Sequence, residues 1–167
     1  MANQQNQTTM KENEIALGKG ISNIYFGFTM DQVKDIMGEP EEIEESDEDD
    51  EFEHKAFNYW EQGYSFFFDR EDDYRLSCIQ TENDTVRLFG KNVYQKTTKE
   101  IKELLQQNGL TDYETEKLET GEIRWSFEKE MLDLYFEEDK LIEINFGVFI
   151  DDDLEVQWPT EGTSSVS

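Results

Sequence analysis

Cys78 is the sole cysteine of the chain and His54 its sole histidine. A cysteine nucleophile needs a base beside it, most often an imidazole. Cys78 lies in the alternating stretch RLSCIQ, where it reads as a small strand residue packed in or near the core. His54 instead adjoins an acidic run. One cysteine forms no intramolecular disulfide, which fits a reducing cytoplasm. With one His and one Cys a zinc site is not expected. Calcium fares no better. Ser46-Asp47-Glu48-Asp49-Asp50 lacks the glycine that an EF-hand requires at its sixth position, and Asp151-Asp152-Asp153 also departs from that template. The chain has no glycine-rich phosphate loop, no Gly-x-Ser-x-Gly and no His-Glu-x-x-His. Among forty-one Asp and Glu residues, no one pair stands out as a catalytic acid and base. The expectation is a protein without catalysis, metal or cofactor.

The residues that do stand out are charged. Glu39 to Glu53 reads EPEEIEESDEDDEFE, and eleven of its fifteen residues are acidic. The whole chain carries 15 Lys and Arg against 41 Asp and Glu, a net charge of −26 over 167 residues. Such a field repels nucleic acid and anionic membrane, and it speeds encounter with basic surfaces. Phe52, Phe57, Tyr59 and Trp60 follow the run directly. Acids steering around aromatic anchors are the composition of a protein contact. The candidate contact is therefore Glu44, Glu45, Asp47, Glu48, Asp49, Asp50 and Glu51, with Tyr59 and Trp60 behind them. Asp151, Asp152 and Asp153 form a second acidic cluster, expected to flank the same face. The plain alternatives are a solvated loop for the run and core packing for Trp60 and Trp125.

Aromatic residues make up 13% of the chain, enough to build a core despite a hydrophobic fraction of only 35%. Between polar ends, residues 1–14 and 159–167, both expected to be disordered, the sequence nearly repeats itself. FTMDQVKDIMG, the acidic insert, FNYW, YSFFFD and RLSCIQ make one unit over 15–82. TTKEIKELLQQNG, EIRWSF, LDLYFE and KLIEINF make another over 83–158. Each opens on a helix. Thr29 is a plausible N-cap ahead of Met30, Val33, Ile36 and Met37; Thr97 or Thr98 precedes Ile101, Leu104 and Leu105. Gly38 and Gly109 mark the stops. The strands that follow alternate: Tyr64, Phe66 and Phe68 against Ser65, Phe67 and Asp69; Leu132, Leu134 and Phe136 against Asp133, Tyr135 and Glu137. Period-two patterning of this kind gives antiparallel sheet with one covered and one wet face. The expected class is α+β: two tandem helix-plus-antiparallel-strand units, their helices covering one face of the sheet. Trp158 falls outside the repeat, either exposed or packed back as a clasp.

Gly20 to Pro40, GISNIYFGFTMDQVKDIMGEP, resembles the opening of the repeat in beta-lactamase-inhibitor-like domains and in the SmpA/OmlA group. Gly27, Thr29, Val33, Gly38 and Pro40 stand at the matching places. In size, charge and layout the chain is also similar to the acidic immunity proteins of bacterial polymorphic toxins. Both resemblances imply a broad sheet face presented to another protein, which is thereby inhibited. The expected function is occlusion of a basic, nuclease-like toxin domain, the chain being a monomer or part of a 1:1 complex. Two alternatives are a DNA mimic, with carboxylates spaced like phosphates, and a non-catalytic assembly module. No stretch approaches the ~20 apolar residues of a membrane helix, and the N-terminus has no signal-peptide core. The expected location is cytoplasmic.

Overall fold

The computed structural model describes residues 13–46 and 53–159. Asp47 to Glu51, the centre of the acidic run, thus lie outside the described residues, as do 1–12 and 160–167.

Strands β4 (Glu42–Glu45), β5 (His54–Tyr59), β6 (Tyr64–Asp69) and β7 (Arg75–Thr81) form one antiparallel meander. Strands β10 (Glu114–Lys117), β11 (Ile123–Phe127), β12 (Leu132–Glu137) and β13 (Lys140–Gly147) form a second. The two join side by side through β7 and β13, with Thr81 facing Ile144 and Cys78 facing Gly147. The result is one eight-stranded sheet, β10-β11-β12-β13-β7-β6-β5-β4. Each meander shifts register at the same place, between Phe67 and Phe68 in the first and between Tyr135 and Phe136 in the second. An extra residue on one strand there bends the sheet and increases its twist.

Side-chain alternation divides this sheet into two chemically different faces. Phe57, Phe66, Ile79, Phe146, Leu132 and Phe127 succeed one another across six strands, and none is more than 2% exposed. Each such side chain contributes roughly 1.5–3 kcal/mol on burial. Truncating Phe66 to Ala at the middle of the row would cost ~3–5 kcal/mol. The next row, on the opposite face, is polar throughout.

The apolar face is closed by a second sheet and two helices. Strands β1 (Glu14–Ala16), β2 (Gly20–Ile21), β3 (Ile24–Tyr25), β8 (Arg87–Leu88) and β9 (Lys91–Asn92) pair in the order β3-β2-β1-β8-β9. Ile15, Ile21, Ile24 and Leu88 enter the common core from it. Helix α1 (Met30–Met37) adds Val33, and helix α2 (Thr98–Gln107) adds Ile101, Leu104 and Leu105. Both helices open on reciprocal caps. Thr29 Oγ1 accepts from Gln32 N at 3.2 Å while Gln32 Oε1 accepts from Thr29 N at 2.8 Å. Thr97 and Glu100 repeat the arrangement at 3.2 and 2.9 Å, which makes Thr97 rather than Thr98 the cap.

The expected α+β class, with two helix-plus-strand units and helices spread over one face, is overturned. The described chain is mostly β, with two sheets and only two α-helices, of eight and ten residues. Length explains the correction. Helices of that size run about 12 and 15 Å. Eight strands at ~4.8 Å spacing span roughly 34 Å. Two short helices cannot cover that width, and a second sheet shares the task.

Candidate binding face

The polar row crosses the whole sheet. Glu42, Asn58, Ser65, Gln80, Asn145, Asp133, Ser126 and Glu114 are consecutive cross-strand partners over all eight strands. Side chains within it bond to each other. Ser65 Oγ donates to Asn58 Oδ1 at 2.7 Å, and Asn58 Nδ2 donates to Glu42 Oε1 at 3.1 Å. Ser126 Oγ donates to Asp133 Oδ1 at 2.7 Å. These bonds fix the orientation of groups that would otherwise be mobile, so the face is pre-organised.

Beside that row Cys78 donates from Sγ to Asn145 Oδ1 at 2.9 Å. Burial, then the charges of Asp69 and Asp133, push its thiol up to about 12. A thiol held protonated is neither a nucleophile nor a metal ligand. In the register β5–β6, His54 faces Asp69, two strands from Cys78. Among the described residues no group of three or more His, Cys, Asp or Glu is placed to hold a metal ion.

At one end of the face the chain turns back after β13. Val148 N donates to Ser77 O at 3.0 Å, and Gln157 N donates to Phe149 O at 2.7 Å, so 149–157 closes a loop. Asp151 organises it: its carboxylate accepts from Asp153 N, Glu155 N and Gln157 Nε2 at 2.9, 2.9 and 3.0 Å. Between this loop and the sheet lies a groove of about 610 Å³. Asp69, Asp72, Asp133 and Asp151 line it beside the apolar Met131, Val148, Ile150, Leu154 and Val156, and among the described residues no Lys or Arg does. Burial and the neighbouring Asp69, Glu71 and Asp73 raise the Asp72 carboxyl, against an opposing pull from Arg75.

The candidate contact residues part company here. Glu44 and Glu45 are exposed on the edge strand β4, and Glu45 pairs with Lys55 at 3.4 Å. Tyr59 is buried, its hydroxyl donating to Gly38 O at 2.8 Å, so it holds the core to the end of α1 and offers nothing to a partner. Its neighbour Trp60 sits in the β5–β6 turn, 54% exposed, and with Glu61, Glu82 and Asp84 lines a second hollow of about 340 Å³. Asp152 and Asp153 are exposed, whereas Asp151 spends its carboxylate on the loop. The far end of the acidic run approaches the groove: Arg70 N donates to Glu53 O at 3.0 Å and Arg70 pairs with the Glu53 carboxylate at 3.2 Å, beside Asp69 and Asp72. Asp69, Asp133 and Leu154 were not among the sequence candidates. Alternation placed both Asp residues on the wet face; the returning loop that walls them in leaves no local signal.

Among the described residues no helix is long and apolar enough to cross a membrane. No protein-family profile matches the chain, and no curated protein matches it. Among solved structures, an extracellular protein containing a SCP domain from Bacillus anthracis str. Ames is similar over 74% of this chain, with a TM-score of 0.46 and 14% identity. The matched region spans 44% of that protein's chain.

Proposed function

We propose that the chain is an acidic immunity-type inhibitor that binds a basic, nuclease-like toxin domain and blocks it by occlusion, in the cytosol, one copy to one. The observation that carries this reading is the polar row across eight strands, anchored by Glu42, Asp133 and Glu114 and free of basic side chains. A hydrogen-bonded row whose charged members are all carboxylates suits a large complementary surface better than a small substrate. The net charge of −26 adds long-range attraction to any basic partner. Affinity then needs apolar anchors that lose water on contact; Trp60 and Leu154 are exposed at 54% and 83%.

The test is capture followed by function. The immobilised chain is incubated at low salt with lysate of its source organism, and the retained protein is released by high salt, purified and assayed on plasmid DNA and on tRNA. The expected result is one basic protein whose hydrolysis of nucleic acid falls to background near equimolar inhibitor. A retained protein that stays fully active under excess inhibitor overturns the reading, as does failure to retain any basic protein.

A further inference from the structure

Leu154 presents an unusual combination. It is 83% exposed, and its backbone is left-handed at φ +64°. A non-glycine residue in that region costs about 1–2 kcal/mol, and Leu154 recovers little of it by packing. The loop that holds it there is well bonded. Leu154 N donates to Asp151 O at 2.9 Å, Asp151 N donates to Glu155 O at 3.0 Å, and Ile150 pairs with Val156 in an isolated bridge. The fold thus spends conformational energy to keep a large apolar side chain at the mouth of the groove. Such outliers concentrate where a ligand is gripped.

The groove beneath supplies the other half of the chemistry. Its volume of about 610 Å³ lies within the ~300–1,000 Å³ range of ligand clefts. Among the described residues, four aspartates face it and no Lys or Arg does. Asp133 accepts from Ser126 and Asp69 from Ser77 at 3.2 Å, neutral donors that leave both charges intact. The cation that reaches Asp72, Arg75, is stacked over Trp158 with its guanidinium carbon 4.4 Å from the ring centre. Apolar walls from Met131, Val148, Ile150 and Val156, with four aspartates among them, disfavour acidic and nucleic-acid ligands and match a chain that alternates large apolar and cationic side chains.

We propose that this groove, walled by the Ile150–Val156 loop, docks a segment of the partner bearing Lys or Arg on either side of a large apolar residue, with Leu154 closing over the apolar residue. The assignment rests on the inhibitor reading above and names the part of the partner that the inhibitor would hold.

The probe is a fluorescein-labelled peptide, Lys-Leu-Lys-Leu-Lys, followed by anisotropy against the full chain, with Glu-Leu-Glu-Leu-Glu as its counterpart. The cationic peptide is expected to bind and to weaken about tenfold between 50 and 200 mM salt, while the acidic one does not bind. Leu154→Gly should weaken binding ~10-fold, in the range of an interface hot spot, while thermal stability holds or rises because glycine accepts the left-handed backbone. Asp72→Asn should weaken it about threefold, and Gln106→Ala, exposed on α2 and outside the groove lining, should leave it unchanged. Equal binding of both peptides overturns the proposal, as does unchanged affinity in Leu154→Gly and Asp72→Asn. The captured basic protein separates the two levels. If it binds Leu154→Gly normally and loses affinity for Glu42→Gln/Glu114→Gln, the groove is wrong and the inhibitor reading stands. If neither it nor the cationic peptide binds the native chain, both fall.

Discussion

The guanidinium carbon of Arg75 lies 4.4 Å from the centre of the Trp158 ring. Trp158 also closes over Gly27, where an added Cβ would come within 3.3 Å of its Cε3. One residue near the end of the described chain is thus clasped between the first residue of β7 and the segment ahead of α1. This clasp fixes the far end of the returning loop and, through it, one wall of the groove. A partly buried cation–π pair is worth roughly 0.5–2 kcal/mol. Trp158→Ala should lower stability by about 1–2 kcal/mol and expose the loop to proteolysis near Leu154, read by limited digestion with chymotrypsin. Cleavage unchanged from the native chain would show that the loop holds itself.

The near end of the same loop depends on Gly18. It sits at φ +76°, and a Cβ there would meet the Phe149 ring at 2.5 Å. It also forms an isolated parallel bridge with Val148. Gly18→Ala combines a left-handed penalty with a clash against a partly buried ring, so a loss of about 2–4 kcal/mol is expected in urea unfolding. A loss below ~0.5 kcal/mol would mean that Phe149 moves aside freely.

What could be read in the sequence was local. Thr29 and Thr97 announced their helices because capping involves residues three apart. The alternation of Tyr64–Asp69 and Leu132–Glu137 announced the strands and their faces. The five-stranded sheet was silent, since Gly20–Ile21, Ile24–Tyr25, Arg87–Leu88 and Lys91–Asn92 are two-residue strands and two residues show no period. Tyr59 and Trp60 looked alike as contact residues. Register separates them: Tyr59 pairs with Tyr64 on the core side, and Trp60 begins the turn. The groove joins Asp69, Asp133 and Asp151, residues far apart in the chain, by a reversal at Val148 that the polarity of DDDLEVQWP does not encode.

Cys78 offers a chemical check on the polar face. With its thiol pushed up to about 12, the thiolate at pH 8 is scarcer than in an unfolded chain by orders of magnitude. Reaction with a disulfide reagent should run ~100-fold or more slower in the folded protein than in urea. Fast labelling of the native chain would mean that the Cys78–Asn145 bond opens readily and that the face is not pre-organised.

Glu143 makes the last prediction. It faces Tyr135 across the β12–β13 pair, and its carboxyl is raised to about 7 by burial first, then by the charges of Glu82 and Glu122. In the unfolded chain it titrates near 4.5. A carboxyl raised on folding stabilises the native state when protonated. Its contribution is complete below the unfolded value and is lost as pH rises through about 7. Glu143→Gln keeps the shape and removes the charge. It should therefore match the native chain near pH 5 and exceed it above pH 7, by ~1 kcal/mol once solvent screening of this half-buried group is allowed for. Thermal melts of both proteins at pH 5 and pH 8 measure the difference. A gap of the same size at both values would show that Glu143 is already relieved by solvent and that the acidic face stores no charge strain at that position.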